Sequence, residues 1–267
     1  MKSINQMLDL NGRKAVITGG TGYLGRTIAH TLNELGCETV LVDLPGSDSD
    51  SVIADIERDW QRATRFFACD LESQEGRNQL IEYIKNDMGS LDILVNNAAF
   101  VGDTKLQGWA EPFEKQTTET WRRALEVNLT AVFDLSREVT PLLKKSGDGS
   151  ILNIASIYGV SAPDYSLYEG TQMSNPAAYS ASKGGLLQLT RWLATTLAPD
   201  IRVNAISPGG VYRQQPQEFV ERYTARTPLG RMAVEEDFKG AVAYLLSGMS
   251  TYVTGQNLLV DGGWTLW

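Results

Sequence analysis

Tyr179 and Lys183 stand four residues apart in Tyr-Ser-Ala-Ser-Lys, within a stretch patterned as a helix. Apolar or small residues recur at Leu186, Leu187, Thr190, Leu193, Ala194 and Leu197, the spacing of one buried helical face. The phenol and the ammonium therefore project from the same side, one turn apart. An ammonium beside a phenol makes the phenol a usable acid and base. Bringing tyrosine from its ordinary pKa of about 10 to about 7 requires roughly 4 kcal/mol of preferential phenolate stabilisation. One positive charge about 4 Å away, at an effective dielectric of about 20, supplies roughly that amount. The same spacing also suits a core tyrosine beside a surface lysine, so the pair has to be weighed with the rest of the chain.

The elements that would position the pair alternate along the sequence. Strand-like apolar runs occur at Lys14–Thr18, Glu38–Asp43, Thr64–Ala68, Leu91–Asn96, Ser150–Ser156, Ile201–Ser207 and Asn257–Val260. Between them, helical spacing predicts Tyr23–Leu35, Ser51–Arg62, Gln74–Met88, a long helix over Thr118–Lys145, the Tyr179 helix, and Glu235–Leu246. Near-continuously apolar strands alternating with helices indicate a parallel sheet covered on both faces. The expected fold class is α/β: a single-domain, doubly wound, Rossmann-like parallel sheet of about seven strands. No linker, charge block or internal repeat divides residues 1–267. Segments 99–117 and 157–177 lack periodicity and follow strands, so they should overhang the carboxyl edge, where open α/β sheets bind ligands.

Composition narrows the function. Apolar residues make up 42% and charged residues 21%, an ordinary globular balance. A net charge of −8 argues against a nucleic-acid surface, which needs a basic patch. Cys37 and Cys69 are too few for a disulfide framework or a zinc site, and read as buried thiols. His30 is the only histidine, which rules out most histidine-based metal or triad chemistry. No metal is expected. The short polar stretch before the first strand lacks a signal-peptide core, and no apolar run is long enough to cross a bilayer. A cytoplasmic enzyme with a small-molecule substrate and no membrane partner is the simplest expectation.

Thr18-Gly19-Gly20-Thr21-Gly22-Tyr23-Leu24-Gly25 follows the first strand and opens the first helix. Gly20, Gly22 and Gly25 satisfy the G-x-G-x-x-G spacing, which lets the backbone turn tightly and approach a pyrophosphate at a helix N-terminus. Asp43 ends the second strand, where a carboxylate can bind both ribose hydroxyls of the adenosine half. It would repel a 2′-phosphate, and no residue of the turn before Tyr23 is basic. NAD is therefore favoured over NADP.

With these residues assembled, the chain resembles the short-chain dehydrogenase/reductase family over nearly its whole length. The matching elements are the glycine turn, Asp70, Asn96-Asn97-Ala98-Ala99, Asn128, Ser156, Tyr179 with Lys183, and Pro208-Gly209. The resemblance implies that Tyr179 exchanges a proton with the substrate oxygen as hydride moves to or from a nicotinamide. Lys183 would lower the phenol's pKa and bind the nicotinamide ribose, Ser156 would hold the reacting oxygen, and Asn128 would support a water leading to solvent. It implies NAD contacts at Gly19, Thr21, Gly22, Tyr23, Leu24, Gly25, Asp43, Asp70, Leu71, Asn97, Ala98, Tyr179, Lys183, Pro208, Gly209 and Val211. Asp70 would contact the adenine, Asn97 would line the adenosine ribose side, and the Val211 backbone would meet the carboxamide. It also implies a homo-oligomer, tetramer or dimer, through the central helices and the C-terminal strand region; the aromatic tail ending in Trp264 and Trp267 fits a buried contact.

Two positions depart from the family pattern. Tyr23 stands where compact members usually carry their middle glycine, so Gly19, Gly22 and Gly25 match the spacing of the longer, sugar-nucleotide-modifying branch. Arg213 stands where a threonine is common. The segment between Ser156 and Tyr179 is long and polar, with Tyr165, Tyr168, Glu169 and Asn175, and favours a hydroxylated substrate. Tyr168-Glu169-Gly170-Thr171 resembles dehydrogenases of bacterial surface-sugar pathways. Arg213, Arg222, Arg226 and Arg231 fall in the variable stretch 211–232, which would form a third substrate loop. They would meet an anionic group or form a solvated helix face. The expected activity is NAD-dependent interconversion of a secondary alcohol and a ketone on a polar, sugar-derived compound. The competing readings are a sugar-nucleotide epimerase or dehydratase that retains NAD, and a non-catalytic NAD-binding regulator.

Overall fold

The computed structural model describes residues 1–101 and 106–267; residues 102–105 of the 99–117 segment lie outside the described residues. A short helix α1 (Ile4–Leu8) precedes β1 (Lys14–Thr18), α2 (Tyr23–Glu34), β2 (Glu38–Asp43), α3 (Ser49–Trp60), β3 (Thr64–Ala68), α4 (Gln74–Glu82) and β4 (Ile93–Asn96). The chain continues through α5 (Thr118–Leu125), α6 (Ala131–Lys145), β5 (Gly149–Ile154), α7 (Ala177–Leu197), β6 (Ile201–Pro208), α8 (Gln217–Arg226), α9 (Lys239–Leu246) and β7 (Asn257–Val260). All seven strands are parallel, in the order β3-β2-β1-β4-β5-β6-β7.

Alternation along the strands builds two apolar layers. Val16, Val40 and Leu94 face Leu80 of α4, Leu135 and Val139 of α6, and Leu193 of α7. Ala15, Ile17 and Leu41 face Ile28 and Leu32 of α2, Ile56 of α3, and Val242 and Leu245 of α9. Helices α2, α3, α4, α6, α7 and α9 each thus bury one stripe against a sheet that is apolar on both faces, as the sequence pattern requires. Strand order reverses between β1 and β4, and the crevice outside their carboxyl ends is the switch point of the fold. The glycine turn after β1 and Asn97-Ala98 after β4 flank it.

The expected long helix over Thr118–Lys145 is interrupted. Residues Glu126–Thr130 form a π-helical turn, with Asn128 buried at its centre. One extra residue in the turn re-aims a side chain without ending the helix, and such insertions often occur at functional sites. Helix α8 has no counterpart in the sequence reading, because only Phe219 and Tyr223 of its ten residues are buried.

The C-terminal aromatics divide. Trp264 is buried by its own chain, stacked on Tyr223 with ring centroids 5.8 Å apart. Leu266 and Trp267 are exposed. Phe133 on α6, Trp192 on α7, and Leu258 and Leu259 on edge strand β7 also carry exposed apolar surface. Among the described residues, no helix is long and apolar enough to cross a membrane.

Candidate functional site

A cleft of about 700 Å³ runs along the carboxyl edge of the sheet. Asp43, Leu44, Asp70 and Leu71 line one part, Gly19, Gly22, Tyr23, Leu24 and Gly25 the middle, and Ser156, Tyr179, Lys183, Pro208, Gly209 and Val211 the rest. Asn97 and Ala98 line it as well. A dinucleotide needs such a site: elongated, with a carboxylate at one extreme and a tight glycine turn at a helix start. The turn is built for close approach. A Cβ on Gly25 would overlap the Gly19 carbonyl oxygen, so only glycine lets α2 begin this close to β1. Gly22, the N-cap of α2, brings no side-chain cap, and the first turn of α2 carries no acid. The cleft fits the group that the sequence implied.

Two expected contacts take different positions. Thr21 does not line the cleft; its N–H and hydroxyl donate to Asp43 Oδ2 at 3.0 and 2.6 Å. With Leu44 N–H on Oδ1 at 2.9 Å, this holds the Asp43 carboxylate at the cleft edge. Asn97 lines the cleft, but its amide donates to the carbonyls of Thr18 and Gly19 at 3.0 and 2.9 Å, tying β4 to the glycine turn. Asp70 accepts from Glu72 N–H at 2.9 Å, and Val211 lends its carbonyl to Gln215.

At the other end, α7 presents Tyr179 and Lys183 beside the turn after β5. Lys183 is 2% exposed and its Nζ donates to the Ile154 carbonyl at 2.7 Å. An ammonium has three donors, so this bond leaves two. Burial pushes the lysine down to about 8. Tyr179 keeps an accessible edge on the cleft while protein surrounds the rest of its ring. That burial pushes the phenol up, and Ser156 beside it pulls the other way. The expected depression of the phenol by Lys183 is not present in this structure. Lys183 Nζ sits 5.8 Å from the phenol's ring centroid, hydrogen-bonded to the main chain, and desolvation acts on both groups.

Ser156 caps the short turn Ile157–Gly159, its Oγ accepting from Tyr158 N–H at 3.1 Å. Gly159 makes this arrangement possible, since a Cβ there would meet the Lys183 main chain at 2.7 Å. Asn128 lies behind the pair. Its Oδ1 accepts from Phe100 N–H at 2.6 Å and its Nδ2 donates to Ser182 Oγ at 3.0 Å, which ties the π-helical turn to α7 between Tyr179 and Lys183.

A second cavity of about 270 Å³ opens beside Ser156 and Tyr179. Its polar groups include Tyr158, Tyr168, Asn175 and Tyr223, and its apolar walls include Trp109, Met173, Phe219 and Met232. The Tyr158 and Tyr168 hydroxyls are 2.7 Å apart, and the Tyr223 hydroxyl accepts from Gly210 N–H at 2.5 Å. The expected segment 157–177 supplies Tyr168, Met173 and Asn175, whereas Tyr165 and Glu169 line a neighbouring groove. Trp109, Tyr158, Phe219, Tyr223 and Met232 fall within the three segments expected to form substrate loops but were not singled out there, because they share no motif and only the fold brings them together.

The four arginines of the variable stretch are engaged within the protein. Arg222 donates to the carbonyls of Leu167 and Glu169, Arg226 pairs with Asp164, and Arg231 forms a two-pronged pair with Asp237. Arg213 pairs with Glu235, and of the four it alone lines the cleft.

Comparison with known proteins agrees with this geometry. A family model described as enoyl-(acyl carrier protein) reductase matches residues 22–265. A tropinone reductase homologue of Arabidopsis thaliana is 32% identical, covering 96% of this chain and 94% of its own. A gluconate 5-dehydrogenase of Burkholderia cenocepacia, solved with NADP and tartrate, is 28% identical with a TM-score of 0.85, covering 99% of this chain and 100% of its own. An NAD⁺-bound xylitol dehydrogenase is 29% identical with a TM-score of 0.83, covering 95% of this chain and 99% of its own. The chain belongs to the short-chain dehydrogenase/reductase family of oxidoreductases.

Proposed function

We propose that the protein is an NAD-dependent oxidoreductase that interconverts a secondary alcohol and a ketone on a small, uncharged, hydroxylated substrate of sugar or polyol type. The observation that carries this reading is that Ser156 and Tyr179 line both the cleft and the second cavity, with Lys183 beside them on the cleft side. Bound NAD would supply the hydride acceptor. Asp43 would bind the adenosine ribose, Asp70 and Leu71 would flank the adenine, and Gly209 and Val211 would border the nicotinamide. Tyr179 would accept the hydroxyl proton of the alcohol, and Ser156 would donate a hydrogen bond to the same oxygen. Lys183 would offset the charge left on the phenol, and Asn128 would hold the π-helical turn that backs the pair.

Cofactor choice follows from Asp43. Thr21 takes both acceptor sites of one oxygen and Leu44 one site of the other, which leaves Asp43 one site for a ribose hydroxyl while its carboxylate would repel a 2′-phosphate. Arg26, the arginine that touches Thr21, donates to the Thr21 carbonyl, pairs with Asp48 and does not line the cleft. NAD⁺ is expected to bind at least about tenfold tighter than NADP⁺, about 1.4 kcal/mol. Equal or reversed affinities in a calorimetric titration would refute this use of Asp43.

Substrate choice follows from the second cavity. Among the described residues, no charged side chain lines it; tyrosine hydroxyls, Asn175 and Gln215 supply its polarity. Burying a carboxylate without a counter-charge is costly, whereas a neutral hydroxyl finds partners here. Pentitols and neutral hexoses are therefore expected to exceed the corresponding aldonates in kcat/KM by about tenfold or more. NADH accumulation with such a panel tests the reaction class too, because an epimerase or a binding-only protein would accumulate none. A preference for aldonates would overturn the uncharged-substrate reading.

A homo-oligomer is part of the same proposal. The exposed Phe133, Trp192, Leu258 and Leu259 lie on the central helices and the C-terminal strand, where the resemblance places the interfaces.

A further inference from the structure

The two residues that depart from the family pattern touch each other. Tyr23, the first residue of α2, is 65% exposed, and the guanidinium carbon of Arg213 stands 4.2 Å from its ring centroid. Both line the cleft, one from the glycine turn after β1 and the other from the segment after β6. Arg213 is aimed by its own loop: its N–H donates to Gln215 Oε1 at 2.7 Å, Gln215 Nε2 donates to the Val211 carbonyl at 2.8 Å, and Gln214 holds φ at +57°. Replacing a glycine with tyrosine and a threonine with arginine thus yields one stacked pair across the opening.

Charge gives this pair a task. The acids lining the cleft are Asp43, Asp70 and Glu72; the cations are Arg123, Lys183 and Arg213. Arg123 is spent on both oxygens of Glu72, and Lys183 is buried on the Ile154 carbonyl. Arg213 directs Nε and Nη2 to a single oxygen, Glu235 Oε1, at 3.3 and 3.1 Å. Among the described residues, its Nη1 edge has no partner. A doubly charged pyrophosphate at the glycine turn would otherwise meet backbone N–H groups and no nearby cation. Planar guanidinium pairs with phosphate oxygens through two parallel bonds, and stacking on an aromatic face fixes its plane.

We propose that Tyr23 and Arg213 form a clasp over the cleft in which Arg213 binds the dinucleotide's pyrophosphate, exchanging Glu235 for it. This rests on the nicotinamide-dinucleotide reading of the cleft, and extends it to the side chains at the two positions where this chain departs from the family pattern. Tyr23 is the platform and Arg213 the charge.

The test is calorimetric binding of ADP-ribose and of adenosine to the intact protein. Arg213→Ala should weaken ADP-ribose about tenfold or more, the scale of a lost charge-assisted contact, and leave adenosine nearly unchanged. Tyr23→Phe should keep wild-type affinity, and Tyr23→Ala should weaken ADP-ribose selectively. Glu235→Gln should tighten ADP-ribose by removing the competing anion. Equal losses for both ligands in Arg213→Ala would indicate a structural arginine and overturn the clasp, as would unchanged ADP-ribose binding. Weaker binding in Glu235→Gln would overturn the exchange. A wild-type protein that binds neither ADP-ribose nor its 2′-phosphate would instead overturn the cofactor reading, so the two failures are distinguishable.

Discussion

Tyr179→Phe is expected to lower turnover by at least about 10²-fold while leaving the fold and NAD⁺ affinity near wild type. General acid–base catalysis contributes typically about 10²–10⁴-fold, and this variant removes the hydroxyl proposed to give or take the substrate proton. The ring itself stays. Tyr179 packs beside Trp109 and Ala178, so phenylalanine preserves the packing and the variant isolates the proton transfer. Ser156 is proposed to hold the same reacting oxygen, so Ser156→Ala should also reduce turnover with a smaller effect on NAD⁺ affinity. Rates on the substrate found by the polyol panel, beside an NAD⁺ titration and a thermal melt, measure all three properties. A folded, NAD-bound Tyr179→Phe protein with near-normal turnover would end the assignment of Tyr179 as the acid/base.

The parts of this site that could be read from the sequence are those fixed by local geometry. Tyr179 and Lys183 share a helical face because i and i+4 always do. Gly25 had to be glycine because α2 starts against the Gly19 carbonyl, and Asp43 had to end β2 to reach the cleft edge. Those constraints act within a few residues, and they fixed the sheet as well as the cofactor side. What could not be read was set by long-range packing. Tyr158, Phe219, Tyr223 and Met232 converge only after α8 folds against the turn Tyr165–Tyr168. The π-helical turn at Asn128 also carries no simple periodic signal, since one inserted residue in an otherwise regular helix leaves the apolar pattern nearly intact. The arginines illustrate the same limit from the other side. Their spacing allowed an anion site, but Asp164, Asp237 and the carbonyls of Leu167 and Glu169 claim three of the four. Arg213 stayed legible as an anomaly, and its partner Tyr23 was the other anomaly.

Lys183→Ala should change the pH dependence as well as the rate. In the wild type, burial pushes Lys183 down to about 8 and pushes the Tyr179 phenol up. Starting from the fully protonated pair, the first proton therefore leaves at the lysine's value, and the step belongs to the pair. The pair short of one proton would serve as the base form, the phenol passing its proton to the neutral amine as the alcohol binds. Alcohol oxidation consumes that form, so its rate should rise with pH through about 8. Ketone reduction needs the fully protonated pair and should fall across the same window. Removing the amine leaves only the phenol, which burial holds above its ordinary value of about 10, so the oxidation rise should move beyond that value. Turnover near neutral pH should drop by about 10²-fold or more, because almost none of the remaining base is ionised there. NAD⁺ affinity should fall in the same variant while adenosine affinity holds, since the proposed placement puts Lys183 at the nicotinamide end of the cleft and Asp43 and Asp70 at the adenosine end. The measurement is the pH profile of kcat/KM for oxidation, with both titrations at pH 7 alongside. A Lys183→Ala profile that superimposes on the wild type would show that the lysine does not tune the phenol, and the proton-transfer mechanism would need another charge.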